Sequence, residues 1–155
     1  MTPLFKKLNF KDQKAIVAIN SPASFATELQ AMQEFSKIIT DLVEVDTVDF
    51  AICFLNTLKE IEWVATDLFP KLNGDALLWI CYPKGTSKQY SCEFNRDTGW
   101  ASLGAVDLEP VRMVAIDQDW SALRFRKVGY IKTITRRESF ALTEEAKART
   151  TQKDL

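Results

Sequence analysis

The chain has 155 residues, 46% hydrophobic and 26% charged, with a formal net charge of −1. That composition fits one globular domain with a sizeable core, and it excludes a global field that would draw the molecule to nucleic acid or to a membrane surface. Histidine is absent, which excludes Ser-His and Cys-His nucleophile pairs and imidazole metal ligands, so any proton transfer falls to carboxylates, lysine, tyrosine or cysteine.

The opening stretch MTPLFKKLNF does not read as a signal peptide, because Lys6 and Lys7 interrupt a short apolar run. Residues 14–19 (KAIVAI) have strand length and β-branched centres. A polar turn, Asn20-Ser21-Pro22-Ala23, leads to a helix expected over 22–33, with Phe25, Leu29 and Met32 at helical spacing. Proline suits a first helical position, where no N–H is needed, so Asn20 and Ser21 are expected to cap that helix. A second strand is expected over 37–42 and a third over 48–55, nearly apolar throughout, as in a strand covered on both faces. The link between them is too short for a standard crossover helix, so either that helix is lost or one strand is misplaced.

Asn56 or Thr57 is expected to cap the next helix, which carries Leu58, Ile61, Trp63, Val64, Leu68 and Phe69 as a broad apolar stripe. Asn73-Gly74 is expected to stop it. Residues 76–82 (ALLWICY) read as a fourth strand, ended by Pro83. After a long polar stretch, 111–116 and 122–128 lie close enough to be antiparallel neighbours. Asp117 to Asp119 would form the turn, Trp120 would fold back on the core, and Leu123 and Phe125 would alternate with Arg124 and Arg126 along an edge strand. The expected fold is a single layered Rossmann-like α/β domain, with a mainly parallel sheet and an antiparallel edge hairpin. It would span residues 1–135, followed by a C-terminal helix or tail over 136–155.

Three cysteines occur, Cys53, Cys81 and Cys92, with no C-x-x-C pair. Cys53 and Cys81 sit inside apolar runs and read as small buried hydrophobes, and no disulfide framework is implied. No apolar run approaches the ~18 residues of a membrane span, and the expected compartment is the reducing cytosol. Charge is uneven: residues 1–123 hold 11 Lys/Arg against 17 Asp/Glu, whereas 124–155 hold 9 against 4. The basic end reads as a solvated segment that pairs with the acidic body.

Two stretches, LLWICYPKGTS and AIDQDWSALRF, carry a resemblance. Trp79, Tyr82, Pro83, Lys84 and Ser87, then Asp117, Trp120, Ser121, Leu123, Arg124 and Phe125, resemble the motifs of a small bacterial family of domains of unknown function. That family looks like a shortened Rossmann fold, similar to the back half of an S-adenosylmethionine methyltransferase. The resemblance covers residues 4–128 and implies the fold. It implies no activity.

The turn at 20–23 has the strand-turn-helix frame of a nucleotide site but no glycine to let backbone approach a phosphate. Asp41 lies at a plausible second-strand end, one acid in a region that also holds Glu44 and Asp46. No cofactor is therefore expected, and S-adenosylmethionine and NAD should bind weakly at most. The loop after the fourth strand is the better candidate. Lys84, Ser87, Lys88 and Arg96 could hold a phosphate or carboxylate, and Asn20 and Asn56 follow two other strand ends that should share one rim. Asp119 and Arg124 are candidates to reach over that rim. Tyr90 and Cys92 have no activating base beside them in sequence. The leading expectation is a non-catalytic domain that binds a small anion or a protein, with no metal and no nucleic-acid partner. The other is an atypical methyltransferase-like enzyme with its site at the strand ends.

Overall fold

The apolar runs at 14–19, 48–55 and 76–82 are neighbouring parallel strands, as expected. The computed structural model describes residues 1–131. The six strands are β1 (Ala15–Ile19), β2 (Lys37–Ile39), β3 (Val48–Phe54), β4 (Leu72–Pro83), β5 (Leu108–Ala115) and β6 (Trp120–Lys127). They form one sheet in the order β2-β1-β3-β4-β6-β5. The first four strands in that order are parallel, and β6 is antiparallel to both β4 and β5. The helices are α1 (Pro3–Lys7), α2 (Ala26–Met32), α3 (Leu58–Trp63) and α4 (Ala101–Gly104). This is a layered, Rossmann-like α/β fold. The C-terminal helix or tail expected over 136–155 lies outside the described residues.

Strand alternation sorts the core into two apolar layers, one on each sheet face. Val17, Ala51, Cys53, Leu78, Ile80 and Phe125 pack with Ile61, Val64, Leu68, Trp100 and Leu103 on the side of α3 and α4. Ile16, Phe50, Ile52, Trp79 and Ala122 pack with Phe5, Phe10, Phe25 and Leu29 on the side of α1 and α2. Phe5 and Phe10 each lie within about 6 Å of Phe50, ring centre to ring centre. Trp79 is fully buried, and its Nε1 donates to the Leu8 carbonyl at 2.9 Å. That bond satisfies the one polar atom of the largest core side chain and pins the end of α1 to β4.

The short link between β2 and β3 has lost its helix. Residues 42–44 make a single 3-10 turn, with the Asp41 carboxylate accepting from the Val43 amide at 3.1 Å. Ile39 stands level with Val17, and Val17 with Ala51. The chain therefore returns only three residues down the sheet to reach Val48, about 10 Å, and residues 40–47 suffice.

Several boundaries differ from expectation. The second strand ends at Ile39, because Asp41 caps a turn instead of extending the ladder. The second helix starts at Ala26 after a 3-10 turn over Ala23–Phe25, and Pro22 precedes that turn in extended conformation with no side-chain cap. Asn20 and Ser21 thus do not cap it. The stripe after Thr57 runs as α3, then a wider π turn over Val64–Leu68, then a 3-10 turn over Phe69–Lys71 that contains Pro70. Proline interrupts the ladder there, so the helix ends before Asn73-Gly74. Those two residues instead lie inside β4, where Gly74 has φ +54 and the register against β3 slips between Val48 and Phe50. They form a bulge. Finally, β6 lies between β4 and β5 and is not an edge; β5 is, and it carries Pro110, a residue that edge strands tolerate.

Candidate functional site

The parallel strands bring Asn20, Asn56 and Lys84 to one rim, each just past the carboxyl end of β1, β3 or β4. Strand order reverses between β1 and β3, the position where open α/β sheets hold ligands in a crevice. Asn20 adopts φ +54, the left-handed conformation a glycine would take there. Asparagine is among the few other residues that tolerate it. Its Nδ2 donates to Glu60 Oε2 at 3.1 Å. Glu60 Oε1 accepts from the Asn56 and Thr57 amides and the Thr57 hydroxyl, at 3.0, 3.1 and 3.0 Å. The Thr57 hydroxyl in turn accepts from the Glu60 amide at 3.2 Å, completing a capping box at the start of α3. The donors that would greet an anionic ligand at the reversal are thus taken by the chain's own carboxylate.

Open space lies to either side of that crevice, and one cleft of about 660 Å³ borders Ile19, Asp41, Trp63 and Lys71 past the ends of β1 and β2. Another cleft of about 650 Å³ sits beyond β4, between the sheet and the loop that follows. The sheet contributes Tyr82, Met113 and Ser121, and the loop contributes Lys84, Tyr90 and Arg96 among others. The loop is anchored at several points. The Lys84 amide donates to the Asp119 carbonyl at 2.7 Å. The Ser87 hydroxyl donates to Asp119 Oδ1 at 2.9 Å and accepts from the Tyr90 amide at 3.2 Å. Further on, Asn56 Nδ2 donates to the Ser91 carbonyl at 3.3 Å, and the Glu93 carboxylate accepts from the Leu58 amide at 2.8 Å. Trp100 Nε1 donates to the carbonyls of Asn95 and Arg96, closing the loop's far end on the core.

The six residues chosen from sequence therefore separate. Lys84 and Arg96 line the cleft. Ser87, Asn56 and Asn20 are engaged in internal hydrogen bonds that shape the loop and the rim. Lys88 is exposed and does not line the cleft. Asp119 reaches the rim, but Arg124 stands opposite Trp79 in the middle of the sheet, because β6 runs antiparallel and carries it away from the strand ends. Sequence reasoning missed Glu60, Tyr82 and Met113. The spacing of Thr57 and Glu60 was a legible capping-box signal; nothing local marked Met113, which reaches the cleft through the register of β5.

Tyr82 is held neutral by burial, which raises its pKa against the lowering effect of Arg96. Its hydroxyl lies 3.5 Å from Met113 Sδ. Cys92 is also raised, first by burial and then by the charges of Glu93 and Glu60, so a thiolate is disfavoured there. Arg96 pairs with Asp97 at 3.4 Å in an exposed position, a weak tie that a ligand anion can replace. The lining offers two cations, Lys84 and Arg96, two carboxylates, Glu93 and Asp97, the phenols of Tyr82 and Tyr90, a thiol and a thioether around an open space. Among the described residues no group of three or more Cys, Asp and Glu is placed to hold a metal ion. Among them, too, no helix is long and apolar enough to cross a membrane.

No protein-family model matches the sequence, and no curated protein matches it. The resemblance to the family of unknown-function domains thus rests on the residues quoted for it. Among solved structures, a Streptococcus agalactiae protein of the NADB-Rossmann superfamily is similar, with a TM-score of 0.45 at 12% identity, covering 82% of this chain and 68% of that one.

Proposed function

We propose that this is a non-catalytic domain that binds a small anionic ligand in the cleft beyond β4, with Lys84 and Arg96 as the cations that meet it. The observation that carries the reading is the division of the rim: at the strand reversal Glu60 takes the donors of Asn20, Asn56 and Thr57, whereas the cleft beyond β4 is open and lined by Lys84 and Arg96, with Glu93 engaged by the Leu58 amide and Arg96 tied only to the exposed Asp97. Lys84 offers a point charge and Arg96 a planar fork, and Tyr82 and Met113 supply an apolar wall for the body of the ligand. A cytosolic metabolite carrying a carboxylate or phosphate fits that chemistry. Lys88 lies outside the lining and contributes long-range attraction only.

The alternative, an enzyme of methyltransferase-like descent, draws support from Asp41 past the end of β2 and from the loop beyond β4. It requires a cofactor at the reversal, where Glu60 already takes the donors of Asn20, Asn56 and Thr57. The test is a thermal-shift screen with carboxylates, phosphates, sugar phosphates, nucleotides and S-adenosylmethionine. A ligand present at ~100 times its Kd adds about 2.7 kcal/mol, which raises Tm by several degrees. A hit among small anions that is lost in Lys84→Ala/Arg96→Ala supports the reading. A hit with S-adenosylmethionine alone overturns it.

A further inference from the structure

Away from the cleft, three arginines share one sheet face on the β5–β6 side. Arg112 and Arg124 are directly opposed across β5 and β6, and Arg126 follows Arg124 two residues on, so all three side chains emerge on the same side. It is the face that holds Trp79 and Ala122. Like charges directly opposed on a ladder repel, and sheets normally avoid the arrangement.

Compensation is one-sided. Asp75, on β4, accepts from Arg126 through both oxygens, at 2.9, 3.2 and 2.7 Å. Glu109 stands opposite Arg126 in the register and is fully buried. Both carboxylates thus lie at the Arg126 end. Arg112 is exposed and Arg124 half-buried, and Arg124 Nε is buried without a hydrogen-bond partner among the described residues. A buried guanidinium N–H left unpaired is costly, because it has lost its water without gaining an acceptor. Burial, Arg126 and Arg112 push the Arg124 pKa down, and Asp75 offsets this only in part.

We infer that Arg112 and Arg124 form an anion site for a phosphate-type oxyanion, separate from the cleft beyond β4. A tetrahedral oxyanion suits this pair of opposed like charges. Its oxygens meet the Arg112 fork and the outer N–H groups of the half-buried Arg124 guanidinium, and the negative charge cancels the repulsion between the two guanidinia. Arg126, clamped by Asp75, holds the side of the site without joining it.

The test is a titration of the full chain with inorganic phosphate, at an ionic strength held constant with chloride, followed on the arginine Nε–Hε NMR signals. Saturable shifts of the Arg124 and Arg112 signals are expected. Arg112→Gln, an exposed substitution that leaves the core intact, should weaken binding by about tenfold or more, and Arg124→Lys, which keeps the charge but loses the fork, should weaken it too. Lys84→Ala/Arg96→Ala should leave these shifts unchanged. A parallel titration with glycerol phosphate separates the sources: tighter binding than inorganic phosphate assigns the site to a phosphorylated metabolite, and equal or weaker binding assigns it to the free ion. Non-saturating shifts that chloride reproduces would overturn the inference. So would saturable shifts that Lys84→Ala/Arg96→Ala abolishes and Arg112→Gln does not.

Discussion

Asn20 and Glu60 are joined at 3.1 Å across the point where strand order reverses, and that bond ties the end of β1 to the start of α3. It stands where a Rossmann-type sheet would otherwise hold a phosphate or an acid group. Two properties of Asn20 meet here: its backbone accepts the left-handed turn, and its amide reaches the carboxylate. The residues therefore make distinct contributions that substitution can separate. Asn20→Ala loses the bond and places an alanine at φ +54, and should cost about 1–2 kcal/mol. Asn20→Gly loses only the bond and should cost less. Urea denaturation of the two variants checks the order.

S-adenosylmethionine and NAD should bind no better than weakly, because Glu60 already occupies the donors at the reversal, and the NAD pyrophosphate would also bring negative charge to that carboxylate. Calorimetric titration with either should show no micromolar binding. The absence of glycine at 20–23 already pointed this way, but the physical reason is more specific than lost backbone freedom: an acid of the chain occupies the donors.

The loop beyond β4 depends on Ser87 for its shape. Ser87→Ala removes a hydroxyl that bridges the Asp119 carboxylate and the Tyr90 amide, and should destabilise the domain by about 1–2 kcal/mol. At the other end of the loop, Gly99 has φ +97, and a Cβ there would overlap the Phe94 Cβ. Gly99→Ala should therefore cost more, about 2 kcal/mol or above, from backbone strain and overlap together. Chemical denaturation of both variants checks the ranking.

The central strands, the two-faced burial and the antiparallel hairpin were legible in the sequence because continuous apolar runs of strand length have few other uses in a chain of this size. The rim was legible too, since parallel strands must end together. What escaped was local. Gly74 reads as a helix stop by residue type, yet its left-handed conformation serves a bulge, and only the register of β4 against β3 reveals that. Ser87 reads as a ligand donor by residue type, yet its partner Asp119 lies 32 positions away. Arg124 looked like a rim residue until β6 proved to run antiparallel between two neighbours.

Alkaline pH should weaken the fold. Burial pushes the Cys53 thiol up to about 12 from an ordinary 9.0, and Cys81 is raised as well, by burial and by the neighbouring Cys53 and Asp117. In the unfolded chain both thiols ionise above about pH 9, whereas in the folded chain they keep their protons, so the folded state binds more protons in that window. Stability should fall as pH rises from about 9 towards 12, by up to about 1.4 kcal/mol per pH unit for each thiol. Urea midpoints measured across this range should decline less steeply in Cys53→Ala/Cys81→Ala than in the native chain.

The placement of the ligand site is tested most directly by following backbone amide NMR signals of the full chain while it is titrated with small carboxylates and phosphates. The account expects the largest saturable shifts in the loop from Lys84 to Asp97 and at Ser121, with little change at 20–23 and 56–60. The Arg112 and Arg124 strands would respond separately, with their own affinity for phosphate. Largest shifts at Asn20 to Ala23 and at Asn56 to Glu60 would contradict it, because they would mean that the ligand displaces Glu60 and enters the crevice at the strand reversal.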